Sequence, residues 1–100
     1  MRSVETYSCK FSDDSNVTVS FDMEAMKVAK NPTTILKFEW DGKPNRKAIV
    51  EYVTWMHTVM SQIAKRISKS ILYVYPTGNG SECVMYSYEK DGTFKKCNGT

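Results

Sequence analysis

The chain has 100 residues, of which 41% are hydrophobic and 25% charged, with a formal net charge of +3. That length holds one domain, residues 1–100, around one core, and that balance excludes an intrinsically disordered chain. The mild positive charge falls short of the dense basic stripe of a dedicated nucleic-acid binder, and no apolar run approaches the roughly 18 residues of a membrane span.

In chain order, the first segment alternates. Tyr7, Cys9 and Phe11 fall on one side and Thr6, Ser8 and Lys10 on the other, which is the period of a half-buried strand. "SDDSN" supplies turn formers, and Val17, Val19, Phe21 and Met23 form the apolar face of a second strand. The two predict an antiparallel hairpin with a loop of four or five residues. "DMEAMKVAKNP" admits two readings: Asp22 caps a short helix ending near Asn31-Pro32, or the strand runs on through Met26 and turns at "AKNPTT". The short helix or an irregular turn is the preferred one. "ILKFEW" is a third strand, with Leu36, Phe38 and Trp40 on one face.

"DGKPN" ends that strand, and Asn45 is placed to cap a long helix from Arg46 to about Ile67. Arg46 and Lys47 are poorly matched to the positive end of the helix dipole, whereas Lys65, Arg66 and Lys69 suit its negative end. "ILYVYP" follows with almost no polar break and predicts a central strand buried on both faces. "TGNG" turns the chain, and "CVMYSYEKDGTFKKC" reads as a hairpin around a two-residue Asp91-Gly92 turn. The whole predicts an α+β, two-layer domain: a mainly antiparallel sheet of five or six strands with one long helix across one face.

The helix is apolar over a wide arc. Ile49, Val53, Met56, Met60, Ile63 and Ile67 make one seam, which is expected to press on the sheet. Ala48, Tyr52, Trp55 and Val59 make a second, which turns polar at Gln62 and Arg66. Either a twisted sheet with bulky aromatic residues wraps that flank, or Tyr52, Trp55, Val59 and Arg66 meet a partner as aromatic anchors with a charged rim. The simplest such partner is a second copy, packed helix on helix.

No motif spells out a chemistry. His57 is the only histidine, and no nucleophile or orienting group is placed beside it by a recognisable turn, so neither catalysis nor a cofactor is expected. Cys9, Cys83 and Cys97 form no closely spaced ligand pair, so no metal site is expected. Asp13 and Asp14 read as turn formers, and Glu39 with Asp41 offers a cation too few oxygens. The sequons at Asn16, Asn79 and Asn98 read as turn residues, because the opening "MRSVETYSCKF" has no apolar block of signal-peptide length. A cytoplasmic location is expected.

These residues lead to a small non-catalytic protein-binding module, a modulator or inhibitor of the kind carried by viruses or mobile elements, acting by occupying a partner's surface. Lys65, Lys69, Lys95 and Lys96 are expected to steer an acidic partner. The competing expectation is a basic accessory protein that holds nucleic acid through phosphate contacts, with Tyr73, Tyr75, Tyr86 and Tyr88 either a stacking platform or cross-strand packing pairs.

Overall fold

A computed structural model describes residues 4–32, 35–76 and 83–97. Strand β1 (Val4–Lys10) and strand β2 (Asn16–Asp22) form the expected hairpin, and a short helix α1 (Met23–Val28) leads to strand β3 (Lys37–Asp41). Helix α2 spans Arg46–Ile67, and strands β4 (Ile71–Pro76), β5 (Cys83–Tyr88) and β6 (Phe94–Lys96) follow. The strands make two antiparallel three-stranded sheets, ordered β1-β2-β3 and β4-β5-β6, in place of the one larger sheet expected.

The first sheet is amphipathic by period. Rows Tyr7–Val19–Phe38 and Cys9–Val17–Trp40 face inward, and rows Thr6–Ser20–Lys37 and Ser8–Thr18–Glu39 face out. Asn16 is the first paired residue of β2 rather than a turn residue; the sequons at 79 and 98, and "TGNG", lie outside the described residues. Asp22 ends β2 by capping α1, its Oδ1 accepting from the backbone N–H groups of Glu24 and Ala25 at 3.0 and 3.3 Å. Met23 and Met26 then turn the buried face of α1 into the core.

Both hairpins turn in the same way. The pairs Phe11/Ser15 and Glu89/Thr93 each close a three-residue loop, with Asp14 (φ +69°) and Gly92 (φ +94°) in the left-handed position. The first loop, Ser12-Asp13-Asp14, is therefore shorter than the four or five residues expected, and the second, Lys90-Asp91-Gly92, is one residue longer than the Asp91-Gly92 turn expected. In each, the central aspartate accepts from the N–H and hydroxyl of the residue two places on, Ser15 or Thr93.

Helix α2 is shared between the sheets. Tyr52 and Trp55 pack against Phe11 and Phe38 of the first, while His57 packs against Tyr86, Tyr88 and Phe94 of the second. Phe38 and Tyr73 meet edge-on at 5.8 Å where the sheets adjoin. The buried residues of α2 are Ala48, Tyr52, Met56, Val59, Met60, Ile63, Ala64 and Ile67, so the arc is rotated toward the second seam and Ile49 is left 45% exposed. The bulky rings of the first sheet set that rotation.

Strand β4 is an edge strand, not a central one: β5 lies in the middle, and one face of β4 is open to solvent. The tyrosines are mainly cross-strand packing pairs, with Tyr73 opposite Tyr86 and Tyr75 stacked on Tyr86 at 5.9 Å. Among the described residues no helix is long and apolar enough to cross a membrane.

Candidate functional site

The expected contact residues on α2 separate on folding. Tyr52 and Val59 are buried, and burial pushes up the pKa of the Tyr52 hydroxyl. Trp55 is half-buried, edge-on to Phe11 at 6.4 Å and to Phe38 at 6.0 Å. Arg66 reaches the surface, but its guanidinium is bound through both Nη atoms to the Glu5 carboxylate at 2.5 Å and donates to the Tyr7 hydroxyl at 3.0 Å. That pairing holds the Glu5 carboxyl below and the Arg66 guanidinium above their ordinary pKa values. The second seam thus serves as core flank, wrapped by aromatic residues of the first sheet.

The four lysines are also divided. Lys69 donates from Nζ to the carbonyls of Lys27 and Ala29, satisfying the C-terminal end of α1. Lys65 lies instead at the β5–β6 turn, where a Cβ built on Gly92 would come within 2.8 Å of Lys65 Cδ. Lys95 and Lys96 are exposed on opposite faces of β6, opposite Ser87 and Tyr86.

Two surfaces stand out once the core is assigned. The first is the outer face of the second sheet. Register places Leu72 beside Ser87 and Lys95, and Val74 beside Met85; the bond from Cys97 N–H to the Met85 carbonyl puts Cys97 in the same row. Leu72 is 50% and Val74 43% exposed, and the nearby Cys83 is exposed too. The outer face of the first sheet carries threonine, serine, lysine and glutamate at the matching positions, with Val4, 56% exposed, at its end. Both sheets have one covered and one open face, and the open face of the second is the more apolar across its middle rows.

The second surface is a groove of about 590 Å³ between α2 and the β5–β6 turn, lined by Thr54, His57, Thr58 and Ser61 on one side and by Asp91 to Phe94 on the other. His57 Nδ1 lies 2.7 Å from the Tyr88 hydroxyl, and its ring stacks on Phe94 at 4.3 Å and 21°. Partial burial lowers the imidazole pKa. With Tyr88 Oη as its hydrogen-bonded partner and aromatic rings around it, the histidine fastens the last hairpin to the helix. Among the described residues no group of three or more His, Cys, Asp or Glu side chains is placed to hold a metal ion.

Sequence reasoning missed both surfaces. The apolar composition of β4 was the signal for the first, read there as burial on both faces. Comparison with known proteins finds no matching family model, no similar curated protein and no similar solved structure.

Proposed function

We propose that this chain is a small non-catalytic protein-binding module, a modulator or inhibitor of the kind carried by viruses or mobile elements, whose contact surface is the outer face of β4–β5–β6. The observation that carries the reading is the contrast between the two open sheet faces. A strand as apolar as "ILYVYP" suits burial on both sides, but Leu72 and Val74 stay 50% and 43% exposed while the Tyr73 side is covered. Lys95 on that face and Lys90 in the adjoining turn suit a partner with an apolar patch and an acidic rim. In this reading Trp55 and Arg66 lie away from the contact, because they engage the first sheet.

The test is a double variant, Leu72→Lys with Val74→Lys, which places charge at positions already exposed and so leaves the fold intact. Light scattering over a concentration series reports self-association, and affinity capture at low and high salt reports other proteins. Binding that survives high salt, is lost in the double variant and persists in Trp55→Ala supports the reading. Binding indifferent to the double variant sinks it. A dimer dissolved by the double variant identifies a second copy as the partner, joined by this sheet face and not by α2.

The competing reading, a nucleic-acid accessory protein, draws on Lys65, Lys95 and Lys96 near Phe94, with Lys69 apart at α1. It requires copurifying material that absorbs at about 260 nm and is lost as salt rises.

A further inference from the structure

The groove beside His57 offers a different chemistry from the open sheet face. We propose that it binds a nucleotide unit, with the base stacked on the outward side of Phe94 and the phosphate held at the Lys65 ammonium. Phe94 is 44% exposed although one side of its ring is covered by His57. The Tyr88 and Tyr86 rings also lie 5.4 and 6.2 Å from it, so the ring is held in place and its exposed part can stack on a base at little further entropic cost. His57 is here a positioning residue, itself held by the Tyr88 hydroxyl at 2.7 Å.

Lys65 is placed as deliberately. Its stem lies against Gly92, whose missing side chain leaves room for Lys65 Cδ, and none of the ion pairs among the described residues includes its ammonium. Asp91 lines the facing wall, where its Oδ1 accepts the N–H and the hydroxyl of Thr93 and its carboxylate charge also acts on Lys65, so an incoming phosphate competes with it for the ammonium. Along the helix wall, the hydroxyls of Thr54 and Thr58 donate to the carbonyls of Val50 and Thr54 at 3.3 Å. Their oxygens are left as acceptors for ribose hydroxyls or an exocyclic amine, and Gln62 adds a donor and an acceptor.

A free nucleotide and a nucleotide within a single strand share this chemistry. The experiment is an amide NMR titration with adenosine 5′-monophosphate, adenosine, inorganic phosphate and tetra-adenylate, each at millimolar concentration. The monophosphate is expected to shift amides of residues 58–65 and 91–94. Phe94→Leu weakens it at least about fivefold by removing the stack. Lys65→Met, which keeps the stem and sits at an exposed position, weakens it about threefold and leaves adenosine unchanged. Phosphate alone leaves the groove unmoved. Tighter binding of tetra-adenylate assigns the unit to a strand, and equal binding assigns it to the free nucleotide. Groove amides that stay still in the monophosphate titration, or affinity that is the same in Lys65→Met and wild type, overturn the proposal. The Leu72→Lys, Val74→Lys variant binds nucleotide like the wild type, so this inference and the docking face stand or fall separately.

Discussion

Ser68 and His57 carry consequences that their neighbours do not. Ser68 closes α2 in the left-handed region at φ +56°, with its N–H bonded to the carbonyls of Ala64 and Lys65. Left-handed backbone is strained for a residue with a Cβ and free of that strain for glycine. Ser68→Gly is therefore expected to raise stability by about 0.5–1 kcal/mol, read from the midpoint of urea unfolding. His57 acts through pH. Its folded pKa lies below the ordinary value of 6.5, so the unfolded chain takes up a proton that the folded chain refuses. The stabilisation is complete above the unfolded pKa and is lost as pH falls toward the lowered folded one. Thermal unfolding followed between about pH 7.5 and 5.5 is expected to show that decline in wild type and to flatten in His57→Gln. At lower pH the carboxyls of Glu5, Asp13 and Asp91, all held below their ordinary pKa values, add a second loss as they protonate. Asp13 shows how a residue read as a turn former acquires a second task. Its Oδ2 accepts from the Asn45 N–H at 2.8 Å, which brings negative charge to the start of a helix whose own first turn has none.

Among the elements, α2 was the most legible, and its inward arc is wider than the first seam alone: Met56, Met60, Ile63 and Ile67 of that seam are buried, and so are Ala48, Tyr52 and Val59 of the second. Its length, its Asn45 cap and its basic C-terminal turn follow from local chemistry, and Asn45 Oδ1 accepts from Ala48 N–H at 2.9 Å as a cap should. Which arc faces inward depends on the rings that meet it, and those come from Phe11, Phe38 and Trp40, distant in sequence. Met60→Ala is expected to cost about 2–5 kcal/mol as a cavity mutation, whereas Ile49→Ala, at the first position of the same expected seam, costs less than about 1 kcal/mol. Chemical denaturation of the pair reads the rotation of the helix directly. The hairpins were legible from alternation and turn residues. The choice of a three-residue loop at Lys90-Asp91-Gly92 rests on the Thr93 hydroxyl completing the aspartate's bonds, which dipeptide preference for Asp-Gly does not register.

For the molecule as a whole, element order followed from apolar period and turn chemistry, and the division into two sheets did not. Pairing among strands is a long-range choice, and nothing local in "KFEWD" or "ILYVYP" says whether β3 and β4 share a ladder. The open face of the second sheet was half legible for the same reason: the composition of β4 records two apolar faces, but only the assembled sheet shows that one of them is exposed. The groove was not legible, since Lys65 and Gly92 come together only when the last hairpin folds back on α2.

The open Leu72–Val74 face also bears on how much of this chain a cell accumulates. Apolar surface on a flat three-stranded sheet favours clumping of one copy on another as concentration rises, and Lys95 is the charge that register places there to oppose it. Solubility, rather than the temperature of unfolding, then sets the ceiling on yield. Lysine in place of Leu72 and Val74 is expected to lift that ceiling without altering the fold of either sheet.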